Sequence, residues 1–389
     1  MVLINRNNAI PIDERPFEFA ERKGKGHPDT LIDGIVEEVS RSLCVSYLEE
    51  FGEIQHHNVD KALITGGATT VKFGGGRFEK QISITLSGRA TARIGSKKVR
   101  VAQVATDAAH RYIKKNTRFL RPEDYSVESK ISPGALPLTS LLRQSMPKAN
   151  DTSISVGFAP SSILERTVME TERELNSSGF KRRFPEVGED IKIMGSRMND
   201  RIGLTVAAAF VSRHVSSLSE YNDKKERLRS QAEKIASRIA DRDVDVAANA
   251  ADKGKNIYLT LTGLSCEMGD DGNAGRGNRV NGLNTPARRM SMEGAPGKNP
   301  VNHVGKIYSV LAFRIAEEIV GLGAKGCDVY LQSRIGAPID RPASAVADVS
   351  WDAASLKQNE LRIRRIFDEH LGSIPELTMD FVKGKVKVF

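Results

Sequence analysis

DIKIMGSRMNDRIGLTVAAAFVS, residues 190–212, decides the fold class. Two runs of alternating apolar and polar residues flank Asn199-Asp200, a pair suited to a tight reversal. The stretch therefore predicts an antiparallel hairpin. Residues 217–242 follow it as a long charged segment whose buried side includes Leu228, Ile235 and Ile239, which predicts a helix lying across that hairpin. Strands followed by a covering helix are the unit to seek on either side.

Outward from the hairpin, the same order occurs twice more. Toward the N-terminus, Ile32, Ile35, Val36, Val39, Leu43 and Tyr47 recur at helical spacing over 29–50, with Pro28 suited to the first turn. ALITGGATT leads to FGGG, which reads as a glycine-rich loop, and QISITLSGRAT alternates as a strand. Val101, Val104, Ala105, Ala108, Tyr112 and Ile113 mark a second helix, and 117–150 reads as irregular. ISVGFAP reads as a short strand and TVMETERELNS as helix. Beyond the hairpin, NIYLTLTGLSC predicts a strand opening a third unit. A long loop over 267–302 then enters a helix bearing Val304, Ile307, Leu311, Ile315 and Ile319, and CDVYLQSRIG closes as a strand. The expectation is an α+β protein of three units, 1–145, 146–255 and 256–389, which exchange terminal strands; no sequence repeat accompanies them.

Bulk properties narrow the class. A chain of 389 residues needs two or three cores, and 39% hydrophobic residues can fill them. No apolar run is long enough to span a membrane, and MVLINRNNAIPIDERPFEF lacks the pattern of a signal peptide, so a cytoplasmic location is expected. Three cysteines, Cys44, Cys266 and Cys327, stand far apart, which fits reduced thiols and argues against structural zinc. The net charge of +9 is spread along the chain and aromatic content is only 6%, so a nucleic-acid partner is not expected.

Chemistry-bearing residues cluster in two places. GDDGNAGRGNRVNG, 269–282, sets Asp270, Asp271, Arg276 and Arg279 among glycines, and GAPGKNPVNH, 294–303, adds Lys298. The glycine spacing is wrong for a Walker loop and the acid spacing is wrong for a calcium loop. What remains is acids for a metal and cations with free backbone N–H groups for phosphate. In KGKGHPDT, 23–30, His27 and Asp29 stand at a helix start, where anions are favoured. Each feature has a plainer reading: Asp29 or His303 as a cap, Asp270-Asp271 as a solvated turn.

Taken together, ERKGKGHPDTLIDGI, HHNVDKALITGG, KFGGG, ANDTS, VGEDIKIMG, EMGDDGNAGRGNRVNG and RRMSMEGAPGKNPVNHVGKIY resemble the archaeal type of S-adenosylmethionine synthetase (methionine adenosyltransferase) over nearly the whole chain. The resemblance implies three pseudo-symmetric α+β units and a homodimer with active sites at the subunit interface. It implies ATP and L-methionine as substrates, and Mg²⁺, often with K⁺. The sulfur attacks C5′ of ATP, and the released triphosphate is hydrolysed to diphosphate and phosphate. His27 would stand beside C5′, with Lys192, Arg276 and Lys298 completing the catalytic set. Asp29, Asp270 and Asp271 would hold the metal. Lys25, Asp190, Arg279, Asn299, His303, Lys306 and Gly134 would contact the nucleotide, with Asn302 in a lesser place. On this reading Asp29→Asn and Lys298→Ala each lose most turnover while the fold survives. One departure stands out. Where the family carries a loop like GQGSMDL, this chain has SPGALPL, 132–138, with Pro137 in place of an aspartate. Such a loop is either drift in a gate or a sign of a diverged enzyme that uses another thioether or acts mainly as a triphosphatase.

Overall fold

The computed structural model describes residues 2–134 and 147–389. Three sheets carry the fold, and each follows a path of four strands with one parallel contact and then two antiparallel ones. The first runs β1 (Val2–Asn7), β17 (Ser344–Ser350), β16 (Gly326–Gln332), β10 (Ile154–Ala159). The second runs β13 (Val244–Ala248), β12 (Arg201–Val211), β11 (Val187–Met198), β2 (Phe17–Lys23), with β14 (Leu259–Thr260) beside the end of β12. The third runs β9 (Tyr125–Ser132), β6 (Ile82–Ala90), β3 (His57–Thr65), β15 (Gly272–Asn273). Two small hairpins, β4–β5 (Ala68–Lys72 and Gly75–Lys80) and β7–β8 (Arg93–Ile94 and Lys97–Lys98), stand apart.

Each sheet buries one face under helices. Helices α1 (Pro28–Phe51) and α2 (Val101–Asn116) cover the third sheet, so that Ile32, Ile35 and Leu43 share a core with Ile64, Ile84 and Leu86. The second is covered by α3 (Ile163–Leu175), the short α4 (Ser178–Arg183) and α5 (Leu218–Ala240), and Leu164, Leu228 and Ile235 meet Ile191, Ile193 and Leu204. Over the first lie α6 (Val304–Gly321), α7 (Ala353–Gly372) and α8 (Ile374–Val382). Opposite the helices the sheets leave Leu3, Phe17, Leu63, Ile154, Met194 and Met198 exposed. Among the described residues no helix is long and apolar enough to cross a membrane. All three cysteines are free and buried.

The hairpin that predicted the fold is β11–β12, turning at Asn199, which takes a positive φ of 52°. Other expectations change. FGGG is the reversal between β4 and β5 rather than a loop. The supposedly irregular 117–150 contains β9, whose sequence YSVESKIS is masked by its polar, largely solvent-facing side chains. NIYLTLTGLSC forms a strand only at Leu259–Thr260 and joins the second sheet, because its backbone then turns into a 3₁₀ segment at Ser265–Met268. The first sheet draws β1 from the start of the chain, β10 from its middle and β16–β17 from near its end.

Candidate active site

Strand β2 delivers Lys23, and the next turn runs tightly over β11. Gly24 N–H donates to Ile191 O at 2.7 Å and Gly26 N–H to Glu189 O at 3.1 Å. A β-carbon on Gly24 would fall 2.4 Å from Ile191 O, and one on Gly26 2.4 Å from Asp190 N, so the approach requires glycine. The turn ends at His27, which caps α1: its Nδ1 accepts the Asp29 N–H at 3.2 Å. An accepting Nδ1 puts the proton of the neutral ring on Nε2. Burial lowers the His27 pKa, against the pull of Asp190 and Asp29, and keeps the ring neutral near pH 7.

Asp29 occupies the first turn of α1. Its Oδ1 accepts the Asn273 N–H at 2.9 Å and its Oδ2 takes the Lys23 ammonium at 2.9 Å. Burial would raise this carboxyl, but those two partners hold it below the usual range. The facing wall is the loop between the 3₁₀ segment and β15. There Ser265 Oγ donates to Asp270 Oδ2 at 2.9 Å, and the Gly66 N–H to Asp271 Oδ1 at 2.8 Å. Asp190 closes the floor, accepting from Ser265 N–H at 2.9 Å and Tyr258 O–H at 3.1 Å, and burial raises its pKa. Lys192 projects from β11 and pairs with Glu21 at 2.9 Å. These groups line an open cleft of about 610 Å³, with Leu63, Ala207 and Arg276 completing it. It joins a helix N-terminus, three cations and hard carboxylate oxygens, the combination that suits a metal-bound polyphosphate.

A family model for S-adenosylmethionine synthetase (AdoMet synthetase) matches residues 1–385. The chain belongs to this family. The S-adenosylmethionine synthase of Methanothermobacter thermautotrophicus is 45% identical, over 100% of this chain and 99% of its own. That of Methanocaldococcus jannaschii is 46% identical, with the same coverage of 100% and 99%. A solved structure of an unusual S-adenosylmethionine synthetase from Campylobacter jejuni shares the fold at a TM-score of 0.59 and 16% identity, covering 92% of this chain and 88% of that one.

The synthetase residues expected from the sequence do not all gather in one place. His27, Asp29, Asp190, Lys192, Asp270, Asp271 and Arg276 meet in the cleft. Lys298, Asn299, His303 and Lys306 instead form a buried seam joining α1, β3 and α6. Lys298 pairs with Glu293 at 2.8 Å and with Asp60 at 3.4 Å. Lys306 pairs with Glu37 at 2.7 Å. Asn299 Nδ2 donates to Gln55 O at 2.9 Å, and His303 caps α6 as His27 caps α1. Asn302 is buried beside them, and among the described residues neither of its amide atoms has a partner. Arg279 is bonded to backbone carbonyls of its own loop. Lys25 acts on buried Lys181, helping depress that lysine, whose shift comes first from burial. Gly134 lies against the His56 ring, and residues 135–138 of the SPGALPL loop, Pro137 included, fall outside the described residues.

Three cleft residues escaped the sequence reading. Lys23 stood inside KGKGHPDT, and its basic charge next to Gly24 was the available signal. Tyr258 and Ser265 carried none, because their role comes from a backbone turn that aims them at Asp190.

Proposed function

We infer that this chain is a methionine adenosyltransferase, converting ATP, L-methionine and water to S-adenosylmethionine, diphosphate and phosphate. The carrying observation is the meeting of His27, Asp29, Lys192, Asp270 and Arg276 in one cleft of a synthetase-family fold. In the reaction the methionine sulfur forms a bond to C5′ as the C5′–O5′ bond breaks, and that electron pair goes to the triphosphate. Charge therefore grows on the bridging oxygen, and an Nε2–H on neutral His27 is a donor suited to it. Lys23, Lys192 and Arg276 bring positive charge to the phosphates.

The donor set fits a divalent cation of the Mg²⁺ kind. Asp29, Asp270 and Asp271 offer hard oxygens in the cleft, and among the described residues no cluster of three ligating side chains exists to form a closed cage. Mg²⁺ is commonly held that way, by one or two carboxylates with substrate phosphates and water. When bound it neutralises phosphate charge. Potassium is expected to act as an accessory ion. A second copy of the chain is expected to cover the sheet faces that leave Phe17, Leu63, Met194 and Met198 exposed, since Leu63 also lines the cleft.

The decisive assay mixes purified protein with ATP, Mg²⁺ and methionine, with and without K⁺, and reads products by mass spectrometry. Equal formation of S-adenosylmethionine, diphosphate and phosphate is expected. Phosphate release without S-adenosylmethionine would overturn this reading in favour of a triphosphatase.

A further inference from the structure

Helix α1 carries Asp29, Asp33 and Glu37 at four-residue intervals, and so on one face. Each accepts a backbone N–H from the long segment that crosses that face. Asn273 donates to Asp29 at 2.9 Å, Gly275 to Asp33 Oδ1 at 2.7 Å, and Gly297 to Glu37 at 3.0 Å. Asp33 is fully buried; among the described residues its Oδ2 makes no hydrogen bond of ordinary geometry, and the Gly277 N–H lies close enough to help lower its pKa. That oxygen stands 2.1 Å from where a β-carbon on Gly277 would lie, so the loop is pressed onto it. The Arg279 guanidinium, near enough for its charge to act on Asp33, donates to the carbonyls of Gly275 at 2.5 Å, Gly277 at 3.2 Å and Met292 at 3.1 Å. Between the two clamps lies Arg276, exposed in the cleft, with its carbonyl bonded to the Lys23 ammonium at 2.7 Å.

We propose that Asp33 is a positioning residue for the reaction assigned above: it touches no substrate, and it fixes residues 273–277 so that Arg276 faces His27 and Asp29. The proposal rests on the methionine adenosyltransferase reading. A buried carboxyl served only by backbone N–H groups of one loop costs stability unless that loop stays in place. A glycine-rich turn has little rigidity of its own, so its shape must come from such neighbours. Burial pushes the Asp33 carboxyl up to about 7 against the Gly275 N–H, the Arg279 charge and the Gly277 N–H, and an asparagine keeps the Oδ1 acceptor whichever form is present.

The test compares the full-length protein with Asp33→Asn, Asp33→Ala and Arg279→Gln, below the melting temperature of every variant. It measures kcat, KM for ATP and for methionine, and the calorimetric affinity for tripolyphosphate with Mg²⁺. Asp33→Asn is expected to stay within about threefold of wild type, because the Oδ1 acceptor remains. Asp33→Ala is expected to lose about 10- to 100-fold in kcat, with weaker tripolyphosphate binding and an unchanged methionine KM, the mark of a displaced phosphate-side group. Arg279→Gln should follow it, and it carries the test if the alanine variant does not fold. Wild-type kcat and tripolyphosphate affinity in Asp33→Ala would overturn the proposal, as would an asparagine variant as poor as the alanine one, which would assign the effect to charge. If wild type itself makes no S-adenosylmethionine, the functional reading fails instead, and the tripolyphosphate series still decides whether Asp33 sets the loop.

Discussion

His27 joins two roles in one ring: Nδ1 closes the start of α1 and leaves Nε2–H as the donor. The roles separate in His27→Asn, since asparagine is itself a strong N-cap. This variant should melt within a few degrees of wild type and lose roughly 100-fold in kcat, the usual scale for removing one donor to a developing oxyanion. An unaltered kcat would leave His27 as a cap alone. Lys298 is the opposite case. The sequence placed it on the triphosphate, with a fold indifferent to its loss, but it sits buried between Glu293 and Asp60. Lys298→Ala would strand two carboxylates and should cost about 3 kcal/mol in denaturant unfolding. A loss below about 1 kcal/mol would show that water compensates them. Residue identity pointed to Lys298 as a phosphate ligand, and burial adds Glu293 and Asp60 as its partners within the chain.

At the scale of elements, α1 explains both what was legible and what was not. Its apolar spacing predicted the helix to within a residue or two of Pro28–Phe51. The acids Asp33 and Glu37 lie among those buried positions, and periodicity cannot tell a core carboxyl from a surface one. Their partners are backbone N–H groups some 240 to 260 residues away, which leave no trace in composition. The KGKGHPDT turn was legible for a different reason: Pro28 marks a helix's first turn, with His27 and Asp29 where anions are favoured, whereas its glycines show their close approach only in the structure. Gly26→Ala should prove the contact, because its β-carbon would meet the backbone of β11 at 2.4 Å. A loss of about 1–3 kcal/mol together with a fall in kcat is expected from thermal melting and initial rates. A shift in kcat alone would mean that β11 yields while His27 moves.

For the whole molecule, the seam at His57 links the proton to stability. The ring is fully buried beside Ser40 and Asn299, and burial depresses its pKa to about 3. The unfolded chain takes up a proton near pH 6.5 while the folded one does not, so this contribution is complete above that value and shrinks as pH falls toward the folded pKa. The stability advantage of wild type over His57→Asn should therefore narrow by about 1.4 kcal/mol per pH unit below 6.5. A constant advantage between pH 7 and 5 would mean that the ring is reached by solvent. Assembly is the other whole-molecule property. Sedimentation should show a dimer, and Met194→Glu, on the exposed sheet face, should shift it toward monomer. The repeated pairing order of the three sheets was visible in the sequence only at the hairpin β11–β12; the central pairs β3–β6 and β16–β17 were not read as hairpins, and the flanking strands come from remote segments.

Strand β1 gives that last point a temporal meaning. Asn5 bonds Asp348 at 2.7 Å across 343 residues of chain. At the usual pace of translation, the first strand made waits roughly 17–70 s for its neighbour to leave the ribosome. Helix-covered hairpins can form as they emerge, but the first sheet closes only when synthesis has passed Ser350. A nascent chain stalled before that point keeps the strand VLINRN unpaired along its edge, open to chaperones and to other chains.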